Sequence, residues 1–155
     1  MKSLYQFLLF ISIVAVLLSG CSDDNNPVSD NDTDHDHAEA VGFVITTSGV
    51  EVARYEQGQV TGAFQVAAGE MTALLTITFI AEDGDLFQPE EDHYKLDWDV
   101  ADTNIADVDQ HEEDGKWRFH IAGLSAGSTT VVFKILHGDH ADFVAQSIPI
   151  EVTQP

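Results

Sequence analysis

From residue 41 onward, apolar and polar residues alternate with a period of two. Leu75, Ile77 and Phe79 alternate with Thr76 and Thr78, and Tyr94, Leu96, Trp98 and Val100 alternate with Lys95, Asp97 and Asp99. Trp117, Phe119 and Ile121 alternate with Arg118 and His120. Val131, Phe133 and Ile135 follow the same rhythm around Lys134, as do Ile148, Ile150 and Val152 around Pro149 and Glu151. Successive side chains of a strand point to opposite faces, so each run predicts a strand with one buried and one wet face. Turn-forming clusters separate the runs at Glu82-Asp83-Gly84-Asp85, Glu113-Asp114-Gly115, Ala126-Gly127 and His137-Gly138-Asp139. No segment sustains a 3.6-residue period. Many short strands at this spacing predict an all-β sandwich or barrel, with two or three of the strands falling in residues 41–61.

The first forty residues read differently. After Lys2, residues 7–18 are almost wholly apolar. About a dozen such residues suit the core of a signal peptide but fall short of the roughly 20 that span a bilayer. The run ends in Leu18-Ser19-Gly20-Cys21, which resembles the lipobox of bacterial lipoproteins. The resemblance implies that residues 1–20 are a cleaved signal peptide and that Cys21 becomes a lipidated N-terminus. Residues 21–40 carry many Asp and Asn and little apolar surface, which predicts a disordered tether. Its start, Ser22-Asp23-Asp24, resembles the acidic export signal of surface lipoproteins of the Bacteroidetes, with a merely acidic linker as the alternative. The expected location is therefore the cell envelope, as an outer-membrane lipoprotein attached to the membrane by lipid and in the surface reading exposed outside it. Residues 41–155 remain for the sandwich, the size of one domain.

Charge and cysteine usage narrow the chemistry. The chain has 27 Asp and Glu against 6 Lys and Arg, a formal charge of −21. Loss of residues 1–20 would remove Lys2 and no acid, taking it to −22. Such a surface repels phosphate backbones, so no nucleic-acid partner is expected, and it attracts cations. Cys21 is the sole cysteine. Once acylated, it leaves no thiol for a disulfide, a thiolate site or a cysteine nucleophile, and any metal must use histidines and carboxylates.

Two stretches suggest the type of sandwich. Trp98, Asp102 and Ile105-Ala106-Asp107-Val108 are followed by Gly123-Leu124-Ser125-Ala126-Gly127 and a β-branched run, with Gly69-Glu70 upstream. Together they resemble the bacterial immunoglobulin-like domain of group 2, the intimin and invasin type, over residues 64–152. The resemblance implies an immunoglobulin-like β-sandwich with extra N-terminal strands and no disulfide, in which Trp98 is the core aromatic. It places strands B to G at 73–80, 94–100, 105–108, 116–121, 129–136 and 142–152, with Pro149 tolerated on an edge strand.

That topology puts the B–C, D–E and F–G connections at one end. His93, His111, His137 and His140 fall on those connections, among acids that include Glu90, Glu91, Asp114 and Asp139. Neutral imidazole suits zinc or copper, and nearby carboxylates favour a dication. The expected ligands are His137 and His140, then His93 and His111, with Asp139 in support. His35 and His37 of the tether come after these. Exposed polar residues at hairpin tips are the alternative reading. His120 alternates with inward residues and is expected to face solvent. Calcium ranks below zinc and copper: Asp30, Asp32, Asp34 and Asp36 lack the glycine of a calcium loop, and Glu82-Asp83-Gly84-Asp85 fits ordinary hairpin chemistry.

No Gly-x-Ser-x-Gly or His-Glu-x-x-His occurs, so no enzyme activity is expected. The expected function is a lipid-anchored binding protein for a divalent transition metal, with an envelope protein as a partner for capture or delivery. The alternatives are a structural or adhesive surface module and an accessory lipoprotein of an outer-membrane transporter.

Overall fold

The computed structural model describes residues 38–90 and 92–155. The expected signal peptide, Cys21, His35, His37 and the acidic run 30–36 lie outside the described residues, as does Glu91. Twelve strands follow in order: β1 (Ala40–Thr47), β2 (Val50–Glu56), β3 (Gln59–Gly62), β4 (Phe64–Ala67), β5 (Leu75–Ala81), β6 (Leu86–Phe87), β7 (Tyr94–Val100), β8 (Ala106–Asp109), β9 (Arg118–Gly123), β10 (Gly127–His137), β11 (His140–Val144) and β12 (Ile148–Thr153). The one helical element among the described residues is a 3₁₀ turn, Glu112–Asp114.

Two sheets form an immunoglobulin-like sandwich. The first runs β3-β2-β1-β5-β9-β8, with β6 folded back on β5. Its β1, β5, β9 and β8 occupy the A, B, E and D places of such a fold, and β2 and β3 extend the A side. Positive φ at Ser48-Gly49 (49° and 80°) and at Gln57-Gly58 (51° and 78°) identifies the two added hairpins as type I′ turns. In the second sheet β10 is central. It pairs with β7 on one side and with β11 and β12 on the other, and β4 joins β12 in parallel. Pro149 is thus not on an edge strand, because β12 lies between β10 and β4. Pro149 pairs with Thr130 of β10, and the β4 ladder begins one residue later, at Ile150.

The core is built on phenylalanines, with Trp117 rather than the expected Trp98 as its tryptophan. Phe43, Phe64, Phe79, Phe119 and Phe133 are wholly buried. Phe43 meets Phe79 and Phe133 edge-on at 6.3 and 6.0 Å, a geometry worth about 0.5–1.5 kcal/mol per pair beyond area burial. Trp98 faces inward but is only half-buried, at the periphery. Trp117 is the buried tryptophan, and its Nε1–H donates to the Pro89 carbonyl at 3.0 Å, tying the long β6–β7 connection to the core.

The turn Gly123–Gly127 carries the chain from one sheet to the other, with the N–H groups of Leu124 and Ser125 both donating to the Ile105 carbonyl. From there β10 climbs ten residues to His137, about 33 Å at the usual strand rise. That length takes its last side chain beyond the aromatic core.

Candidate metal centre

His137 extends the inward stripe Val131, Phe133, Ile135 by one more step, so the strand's own alternation buries it. It pairs directly with His140 across Gly138-Asp139. Gly138 has φ 61° and Asp139 does not share the positive value, the pattern of a type II′ turn with glycine leading. Directly opposed residues project to the same face, and the two imidazole centroids lie 5.2 Å apart.

The third group arrives through an irregularity. Ile135 pairs with Phe143 and Leu136 with Ala141, so Asp142 is an extra residue in β11, a β-bulge. Regular alternation would turn either Asp142 or Phe143 inward, not both. A bulge lets consecutive side chains share a face. Phe143 accordingly joins the core while the Asp142 side chain is 1% exposed. Its Oδ1 lies 3.0 Å from His140 Nε2 and its Oδ2 3.4 Å from His137 Nδ1. The same Oδ2 accepts the Ala38 N–H at 3.1 Å. Ala38, which the sequence places in the tether, is itself buried.

One donor atom from each of His137, His140 and Asp142 lies within 4.8 Å of the other two. Zinc ligands about 2.1 Å from a common ion stand at most about 4.2 Å apart, so small side-chain rotations close the set. A buried carboxylate needs compensation. Here two imidazoles and a backbone N–H face it, and a dication would add opposite charge.

The remaining expected ligands fall elsewhere. His93 is exposed and outside the three-donor set. Its ring stacks on His137 with centroids 4.6 Å apart and 29° between planes, and Tyr94 packs on the same imidazole at 4.7 Å. Asp139 is an exposed turn residue and contributes no donor; the carboxylate at this site is Asp142. The sequence does carry a signal for it. A two-residue turn puts His140 on the face of His137, and the apolar Phe143, three residues on, must face the same way, an odd spacing that marks irregular pairing.

His111 does not join His137. It groups with Asp114 and His120, so the four loop histidines do not converge. The separation follows from strand lengths. His120 stands three residues above Gly123 in β9, about 10 Å, while His137 stands ten above Gly127, about 33 Å, leaving roughly 20 Å between the groups along the strands. His120 is half-buried rather than solvent-facing, with Nδ1 2.8 Å from the Thr72 carbonyl oxygen. The calcium candidate at Glu82–Asp85 is a hairpin turn in which Asp83 accepts the Asp85 N–H at 3.0 Å. Among the described residues, no three-donor grouping forms there.

No family model matches the chain, and no curated protein does. Among solved structures it is similar to domains 4 and 5 of the S-layer protein SbsC, at 19% identity and a TM-score of 0.43, over 72% of this chain and 53% of that one. It is also similar to domains 5–6 of the S-layer protein SbsC, at 21% identity and a TM-score of 0.43, over 65% of this chain and 45% of that one. The chain spans about half the length of these structures.

Proposed function

We propose that the chain is a lipid-anchored binding protein of the cell envelope that holds a divalent transition metal, zinc or copper, between His137, His140 and Asp142. One observation carries the reading: a bulge turns a carboxylate out of water and against two imidazoles of a tight hairpin. Two histidines and one carboxylate leave an open position on a four-coordinate ion. In a binding protein that position suits transfer of the ion to or from a ligand of an envelope partner. Calcium, which takes six to eight oxygen ligands, is poorly served by two imidazoles. Attachment through Cys21 rests on the lipobox resemblance. The role proposed is binding, and no catalytic step is assigned to the site.

Metal analysis and calorimetric titration of the purified protein test the reading. Zinc or copper should bind, and His137→Ala with His140→Ala should weaken that binding at least 100-fold. A titration unchanged by the pair of substitutions removes the site, and a protein that binds no metal at all leaves the adhesive-module reading in its place.

A further inference from the structure

The hairpin that joins β8 to β9 brings a second set of donors together, far from the first. Asp109 pairs with His120 across it. Beyond Asp109 the chain passes Gln110 and His111 and makes the 3₁₀ turn, and Gly115, with φ 87°, releases it toward β9. Residues three apart eclipse one another in 3₁₀ geometry, which sets Asp114 over His111. The Asp114 N–H donates to the His111 carbonyl at 3.1 Å, closing that turn. Gln110 Nε2 donates to the carbonyls of Lys116 and Arg118, bracing the hairpin from inside. The rings of His111 and His120 then lie 5.8 Å apart.

The orientation of His120 is informative. A carbonyl oxygen only accepts, so the 2.8 Å contact with Thr72 requires the proton on Nδ1. The neutral ring then presents its lone pair at Nε2. That atom faces Asp114 Oδ2 at 3.7 Å, beyond hydrogen-bond range. Two electron-pair donors facing across such a gap are stabilised by a cation between them. An imidazole whose second nitrogen donates to a backbone carbonyl is also the usual arrangement of a metal-ligating histidine, because it fixes both ring and tautomer. His111 Nε2 approaches Asp109 Oδ2 at 3.7 Å, which places a further carboxylate beside the group. The side chains of His120 and Asp114 are 18% and 21% exposed and that of His111 is 40% exposed, sheltered yet reachable by an ion.

We infer that His111, Asp114 and His120 form a second binding site for a divalent transition metal, separate from the His137 centre. One donor atom from each lies within 4.8 Å of the others. Two imidazoles and a carboxylate select zinc-like ions over calcium or magnesium. The inference stands whether or not the His137 centre binds, because no residue is shared and roughly 20 Å separates them along the strands.

The test is a zinc titration of the full chain, unchanged and with His137→Ala and His140→Ala combined, read by calorimetry and by NMR of the histidine ring nitrogens. The doubly substituted chain should keep one zinc equivalent. On binding, the His120 Nε2 resonance should shift while Nδ1 keeps its proton. Adding His111→Gln, at the more exposed ligand, should weaken this equivalent at least tenfold, and His120→Gln should abolish it. Circular dichroism confirms that each variant folds. If zinc leaves the His111 and His120 rings unmoved in the His137→Ala, His140→Ala background, the group is only a surface ion pair and the inference fails. If the chain binds a single equivalent that His111→Gln weakens and His137→Ala does not, this site stands and the His137 reading fails.

Discussion

Asp142→Asn probes the His137 centre with the smallest change of shape. Asparagine keeps an oxygen for the Ala38 N–H but removes the charge and sets an NH₂ group where a carboxylate oxygen met an imidazole. Without metal the cost is small. A hydrogen bond to a charged acceptor contributes about 1.5–3 kcal/mol and a neutral one about 0.5–1.5, so the Ala38 contact loses about 1 kcal/mol. His140 is 55% exposed, so its pairing adds between about 0 and 1 kcal/mol. Relief from burying a charge offsets part of both. The metal-free protein should therefore lose about 1 kcal/mol, roughly 3–6 °C of Tm for a domain of this size. With metal the contrast is larger. At a free zinc concentration 100 times Kd the ion stabilises the fold by about 2.7 kcal/mol. If the lost ligand weakens affinity 100-fold, the same zinc concentration yields only about 0.4 kcal/mol. Scanning calorimetry with and without zinc, in a His111→Gln background that weakens the second site, should thus show the zinc-induced shift fall from roughly 10 °C to roughly 2 °C. An equal shift in both proteins would show that Asp142 is not a ligand.

Three further outcomes are expected. A Cβ on Gly123 would sit 2.5 Å from the Ala67 carbonyl and 2.9 Å from Val66 Cγ1, so Gly123→Ala should cost about 1–3 kcal/mol in urea unfolding, and an unmoved midpoint would refute that close approach. Trp117→Phe leaves the Pro89 carbonyl without its buried donor and should cost about 1–3 kcal/mol, whereas a loss under about 0.5 kcal/mol would show that water replaces the indole N–H. The Asn104 backbone N–H, then its side-chain amide, holds the Asp102 carboxyl below its ordinary value of 3.8. Its stabilising effect is therefore present above the ordinary aspartate range and lost as pH falls through the lowered value, and an NMR titration midpoint at or above 3.8 would contradict the turn.

The strands were legible because each keeps one face in the core and one in water, and a period of two records that directly. The I′ hairpins at Ser48-Gly49 and Gln57-Gly58 divide this region into three strands, where two or three were expected in residues 41–61. The centre of the core was less legible. Trp98 and Trp117 both alternate correctly, and only the packing of the β6–β7 connection over Trp117 decides which is buried. At the candidate centre, the His137 and His140 pair follows from a two-residue turn, a local rule. Asp142 depends on a bulge, which alternation can hint at but not place. His111 and His120 depend on the length of the β8–β9 hairpin relative to β10. Shared topology suggested convergence at one end, but β9 stops far short of β10, and loop order carries no measure of height. The partner of His120, Thr72, comes from 48 residues away and leaves no local trace.

The Ala38 N–H bonded to Asp142 gives the domain a mechanical character. A pull on the chain preceding Ala38 loads this hydrogen bond before it reaches the β1 ladders with β5 and β2, which begin at Ala40 and Gly42 respectively. The carboxylate therefore acts as a cleat at the point where force enters the fold. An ion that clamped Asp142 to His137 and His140 would stiffen that cleat, and tension on the chain would in turn strain the ion's coordination. Grip on metal and grip on the leading segment would then be set by one side chain.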